Sequence, residues 1–295
     1  PTTGRSRTLL LMCLPAAAYF IVFHYLPMPG AYVAFTNYNY AKGMLGSEFV
    51  WLENFRFLYQ SGKLWLLTKN TILYNLTFIL LGNLVNMAVA ILLNEIRSAK
   101  FKKTSQTIMF LPYFISHVLV GLMVYNLFSA QYGLINNIIK ALGGQGRNWY
   151  SMQHKGSWPF FIVLINLWKE TGYGSIVYFA AIMSISAEMI EAAEVDGVNA
   201  FQKIRYIILP SLKPTVVTLV LFAMGGIVRG NFGLFWNVIG SNSLLYPTTD
   251  IIETFVYRAL SRQANYAQSG AAGLYQSVIG LITVLAVNFI IKKAE

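Results

Sequence analysis

The chain has 295 residues, of which 56% are hydrophobic and only 11% charged, whereas soluble domains average about 25% charged residues. That balance excludes an ordinary cytosolic enzyme. The formal net charge of +11 is no argument for nucleic acid, because the basic residues are scattered over loops between apolar runs rather than gathered on one face.

Cut where charge, Pro and Gly cluster, the chain leaves six apolar runs, at about residues 8–35, 70–96, 107–129, 158–185, 215–239 and 269–291. Each exceeds the roughly 20 residues needed to cross a bilayer core. Backbone amides in lipid must be satisfied within their own segment, so the runs predict about six transmembrane helices. The fold class expected is all-α and polytopic, with residues 1–295 forming one domain. The first run follows Arg5 and Arg7 and holds Ala16-Ala17-Ala18, yet it stays apolar far beyond the length of a signal-peptide core and reads as a retained span. The lone Cys13 predicts no intramolecular disulfide.

Loop 41–69 carries Trp51, Phe55, Tyr59 and Trp65, rings suited to the headgroup boundary. The short loop 97–106 holds Arg97, Lys100, Lys102 and Lys103 and no acid. Positive loops stay in the cytoplasm, which predicts a membrane protein with both termini inside, Arg5, Arg7, Lys292 and Lys293 included. Loop 130–157 contains Gly143-Gly144-Gln145-Gly146 without a following Lys-Ser/Thr pair, so no phosphate loop, and no cofactor in this chain, is expected. His24, His117 and His154 fall in separate segments, and neither a metal site nor catalysis is expected.

In the fourth run, Lys169 and Glu170 sit near mid-depth, and helical spacing puts Asn166, Glu170 and Tyr173 on one stripe with Lys169 beside it. The fifth run is interrupted by Gly225, Gly226, Gly230 and Gly233 around Arg229, with Asn231, Phe232, Trp236 and Asn237 close behind. Ionisable groups and irregular backbone at membrane depth mark transport pathways, so these residues form the candidate substrate path. Rings beside amides suit sugars, and Arg229 with Lys169 favours a carboxylated sugar. A packing reading stands beside this one, in which Lys169 or Arg229 pairs with Glu170 and the glycines serve helix contacts.

Between these two runs lies EAAEVDGVNAFQKIRYIILP, residues 191–210. Residues 184–194 predict a helix on which Ala192 and Ala193 let another surface approach closely, with Glu188, Glu191 and Glu194 three apart. Asp196-Gly197 supplies a turn. A second helix from Val198 places Phe201, Ile204, Ile207 and Ile208 on one apolar face and ends at Leu209-Pro210.

Glu191-Ala192-Ala193, then Gly197, then Ile207-x-Leu209-Pro210 resembles the EAA loop of the membrane subunits of bacterial ATP-binding-cassette importers, here within residues 184–214. Asn70-Thr71, Leu92-Leu93-Asn94, "LPYFISHVLVGLMVYNLFS" and "YGLINNIIKALG" extend the likeness over about residues 65–292 to the oligosaccharide branch, which includes maltose-type, lipoprotein-type and alginate importers. The resemblance implies a type I importer permease fold and a coupling helix docked in an ATPase groove. Glu191 would make a polar contact there, Ala192 and Ala193 the close packing, Gly197 the turn, and Ile207, Leu209 and Pro210 the rest of the signature. It also implies a second, similar permease, two ATPase subunits that bind ATP and Mg, and an extracytoplasmic solute-binding protein, all acting on an oligosaccharide.

Two other classes remain in view. A proton-coupled secondary transporter would use Glu170 as its proton site. A membrane glycosyltransferase would need Asp250 and Glu253 as an acidic pair, although three-residue spacing also suits capping of a short helix running to Tyr257 and Arg258.

Overall fold

The computed structural model describes residues 2–294, with side chains described for residues 9–290 and for Lys292. Arg5, Arg7 and Lys293, which entered the charge reading, lie outside the described side chains. Helix α1 (Thr2–Phe20) passes through a π turn, Ile21–Tyr25, into a 3-10 helix, Met28–Phe35. The prolines at 27 and 29 lack the amides an α-helix would need there. A two-residue hairpin follows, β1 (Thr36–Asn37) and β2 (Glu48–Phe49), enclosing the single turn α2 (Gly43–Gly46). Then come α3 (Glu53–Gln60) and the 33-residue α4 (Lys63–Glu95). No proline interrupts α4, and its apolar residues run nearly all round the helix, as a membrane span requires.

The third run is broken rather than continuous. Helix α5 (Ala99–Phe114) and α6 (His117–Phe128) meet at a 93° bend. Pro112 ends the regular ladder, Ile115 takes extended backbone, and the Ser116 hydroxyl caps α6 by accepting from the Leu119 amide at 3.3 Å. Beyond the short α7 (Leu134–Ala141) lies α8 (Trp158–Met183), followed after a 72° bend by α9 (Ala187–Val195).

The second half of the charged module departs from expectation. Leu209-Pro210 does not end a helix: α10 (Ala200–Lys203) runs through a π turn, Ile204–Ile208, straight into α11 (Leu209–Met224). In the widened turn the Leu209 amide reaches back to the Ile204 carbonyl, so the missing Pro210 amide falls where the ladder is already irregular. The same widening shifts the apolar face. Ile208 is buried, but Phe201, expected on that face, is 75% exposed. The fifth run therefore starts earlier than expected and stops at Met224. After it come α12 (Phe232–Ile239), α13 (Tyr246–Thr249), α14 (Ile252–Ser261) and α15 (Tyr266–Ala294).

Among the described residues four helical stretches, Leu9–Phe35, Lys63–Glu95, Ala200–Met224 and Tyr266–Ile290, are long and apolar enough to cross a membrane, and the two bent pairs raise the number to six if each is one span.

The chain divides into two compact units. The first comprises Pro1–Leu64 and Phe255–Ser277. In it, Asn54 holds the hairpin by donating to the carbonyls of Ala34 (2.9 Å) and Thr36 (3.1 Å). Tyr38, Tyr40 and Tyr266 cluster with ring centroids 5.1–5.4 Å apart, and the bond to the Tyr266 hydroxyl pushes the Tyr40 phenol up to about 12. The second unit, Trp65–Thr254 and Val278–Glu295, has one apolar core around Trp158, Ile162, Leu234 and Phe235 and another around Ala90, Tyr178, Ile208 and Leu212.

Candidate functional site

Two features of the second unit carry the functional argument. The first is the charged module. Helix α9 closes with Gly197 at φ +74°, and the bonds Val198 N–H to Ala193 carbonyl (3.0 Å) and Gly197 N–H to Glu194 carbonyl (3.1 Å) make a Schellman end. Asn199 and Gln202 then form a reciprocal capping box, each side chain accepting from the other's amide at 2.9 Å. The sequence reading overlooked this box although Asn-x-x-Gln is its signature. Glu191 and Ala192 are exposed on α9, whereas Ala193 is 8% exposed.

The module is seated rather than hanging free. Ile208 and Leu212 pack with Ala90 and Ile91 of α4 and with Tyr178 and Ile182 of α8. Lys203 pairs with Glu95 at the end of α4, Nζ to Oε1 3.3 Å. These contacts tie the second half of the module to α4 and α8.

The second feature is a cavity of about 270 Å³ between α4, α8 and the end of α11 with the break after it, lined by Asn75, Asn83, Asn86, Asn166, Glu170 and Thr171 among others. Asn166 and Glu170 were expected on such a wall. The three α4 asparagines were not, although amides recurring in an otherwise apolar helix were the available signal. Gly174 makes room for Asn86: a Cβ there would lie 2.2 Å from its amide nitrogen.

The remaining candidates separate. Lys169, 4% exposed, donates to the carbonyls of Tyr113 (2.7 Å), Ile115 (2.8 Å) and Pro112 (3.4 Å). It closes the C-terminal end of α5, where a positive charge also suits the helix dipole. Tyr173 is half-exposed and stacks on Tyr113 at 4.5 Å and 10°. The Arg229 side chain is exposed; its carbonyl and that of Ile227 accept from the Asn75 amide at 2.8 and 2.7 Å. Asn75 thus staples the glycine-rich break to α4. Asn231 is the N-cap of α12, accepting from Leu234 N at 3.0 Å, and Phe232 stacks on Trp236 at 6.0 Å and 14°. Asn237 donates to the Gly233 carbonyl at 2.7 Å and lines a different groove. Asp250 and Glu253 serve structure: the Thr254 hydroxyl donates to Asp250 at 2.7 Å, and Glu253 accepts from the Gly230 amide at 2.5 Å. Among the described residues no cluster of His, Cys, Asp and Glu has metal-binding geometry.

Comparison with known proteins bears on this arrangement. Residues 86–294 match the model of a family described as the inner membrane component of binding-protein-dependent transport systems. The chain is 33% identical over 293 residues to Protein LplB of Bacillus subtilis (strain 168), covering 99% of this chain and 90% of that protein. It is also 33% identical over 289 residues to the polygalacturonan/rhamnogalacturonan transport system permease protein YteP of the same strain, covering 98% and 89%. Among solved structures, a bacterial ABC transporter involved in the import of the acidic polysaccharide alginate superposes with TM-score 0.86 at 31% identity, covering 98% of this chain and 96% of that one. A bacterial alginate ABC transporter in complex with an alginate pentasaccharide-bound periplasmic protein gives TM-score 0.85 at 32% identity, covering 99% and 96%.

Proposed function

The chain belongs to the family of inner membrane components of binding-protein-dependent transport systems, and from that premise we propose that it forms half of the translocation path for an oligosaccharide, driven by separate ATPase subunits. It is a multi-pass inner-membrane permease of the sugar ABC importer class, a transport subunit with the type I fold and not an enzyme. The names of its relatives, one for polygalacturonan and one for alginate, favour an acidic oligosaccharide.

The observation that carries the coupling half of the reading is the construction of the EAA module. Exposed Glu191 and Ala192 precede a rigid Schellman turn, and the following helix is continuous with α11. In this account α9 seats in a groove of the ATPase, both termini face the cytoplasm, and ATP and Mg bind the partner subunits. ATP favours the closed ATPase pair, so its differential affinity for that state supplies the bias. The movement of α9 then tilts α8 and α11 and opens the amide-lined cavity toward the other side, where a solute-binding protein delivers cargo, as the pentasaccharide-bound periplasmic protein accompanies the alginate transporter. A second, similar permease completes the path.

The amides of Asn86 and Asn166 offer both donors and acceptors to sugar hydroxyls. Reconstitution with a partner permease, ATPase subunits and binding protein tests the proposal: ATP-dependent uptake of galacturonan or alginate oligosaccharides supports it, and equal uptake without ATP refutes it.

A further inference from the structure

A second cavity of the permease, about 540 Å³, lies where α6 meets α12 and the loop after it, and Tyr125, Tyr150, Asn237, Ser241 and Asn242 furnish its polar and aromatic wall. It sits at the end of α8 opposite the EAA module: Tyr150 precedes Trp158, the first residue of α8, whereas the module follows Met183, the last. The floor is set by a close approach of two helices. A Cβ at Gly121 would lie 2.3 Å from the Asn237 carbonyl oxygen, so no side chain can stand between α6 and α12. The Asn242 amide donates to the Tyr150 carbonyl at 2.8 Å and fixes one loop against the other.

Three properties of this groove point to a ligand. Its rings are a pair: Tyr125 and Tyr150 have centroids 6.0 Å apart at 48°, with Tyr125 58% exposed. The Tyr150 hydroxyl is buried without a hydrogen-bond partner, and an unmet buried hydroxyl costs stability unless something else satisfies it. Among the described residues no charged side chain lines the groove, so it does not select by ion pairing. Aromatic faces take the C–H faces of pyranose rings, and amide and hydroxyl groups take their hydroxyls.

We propose that this groove is a saccharide subsite read through ring faces and hydroxyls, indifferent to carboxylate charge, occupied before the sugar enters the cavity of Asn86 and Glu170. The inference rests on the transport reading above but concerns a different set of residues. Its volume lies within the range of roughly 300–1,000 Å³ typical of small-molecule sites. Charge selection then falls to other parts of the transport system, and this groove holds whatever sugar is delivered to it.

The test uses the full chain in its assembled transporter, with Cys13→Ser and Ser241→Cys, and measures maleimide labelling with maltopentaose or a galacturonan pentasaccharide present. Both sugars should slow labelling by about fivefold or more, and Tyr150→Phe should raise the half-protecting concentration by about tenfold, a lost hydrogen bond, without lowering the melting temperature. A merely structural Tyr150 would leave protection unchanged. Equal labelling with and without both sugars overturns the proposal, and so does protection by the acidic sugar alone. A Ser241→Cys thiol unreactive in the assembly but reactive in the isolated chain assigns the groove to a subunit contact and also overturns it. Protection by both sugars with no ATP-driven uptake of either faults the transport reading and leaves the subsite standing.

Discussion

The Lys169 ammonium lies 2.7 Å from the Tyr113 carbonyl oxygen, and that contact satisfies the end of α5 where the third run bends by 93°. A helix that stops inside a bilayer leaves carbonyls with no water to accept from. Lys169 meets those of Tyr113 and Ile115 from a helix more than fifty residues away in sequence. The lysine is a structural pin on α5 and does not pair with Glu170.

Replacing Lys169 with Met should destabilise the chain by about 2–4 kcal/mol, because buried carbonyls lose a charged donor. Lys169→Arg, which keeps the charge, should recover part of the loss. Thermal unfolding of the purified permease in detergent checks both.

Gly172 and Gly82 make a matched pair. A Cβ on Gly172 would sit 1.9 Å from the Met109 carbonyl oxygen, whereas nothing lies within 4 Å of one on Gly82. Gly172→Ala should force α5 off α8 and lower stability by about 1–3 kcal/mol, and Gly82→Ala should be neutral within about 0.5 kcal/mol, by the same unfolding measurement.

Among the described residues Glu170 is the only titratable side chain on the wall of the amide-lined cavity. An ionised Glu170 would repel carboxylated cargo. With an acidic oligosaccharide, Glu170→Gln should lower the KM of uptake several-fold, and with a neutral one it should leave KM unchanged. Comparing the two cargoes in the same vesicles separates a charge effect from a fold effect.

The Lys203–Glu95 pair, with side chains 19% and 31% exposed, is partly solvated. A double-mutant cycle on stability should give a coupling of about 0.2–1 kcal/mol that shrinks as salt is raised. The apolar contacts of Ile208 and Leu212 hold the module more firmly, so Leu212→Ala should cost about 2–5 kcal/mol.

Much of the module was legible in the sequence. Gly197 was expected in a turn and has φ +74°, and the EAA spacing locates α9 within three residues. What could not be read were features fixed by distant partners. Lys169 looked like part of a path because its carbonyl partners are 54–57 residues away. The break at Ile115 was hidden in a run whose composition stays apolar on both sides, since hydropathy does not register a change of direction. Pro210 read as a stop because a proline ends a regular ladder, and the π turn before it is a choice of backbone that side-chain pattern does not announce. Asn75 is an ordinary polar residue by composition; its role appears only when the break at Arg229 is folded against it.

The central claim is that α9 transmits an ATPase stroke, and the most direct measurement is cross-linking from Ala192, an exposed position on that helix. With Cys13→Ser and Ala192→Cys in the assembled transporter, oxidation with a cysteine placed in the ATPase groove should trap a permease–ATPase species and stop both ATP hydrolysis and uptake, with reduction restoring them. A trapped species that still transports at full rate, or a freely reactive Ala192→Cys thiol that never captures an ATPase while ATP-driven uptake continues, would contradict the account.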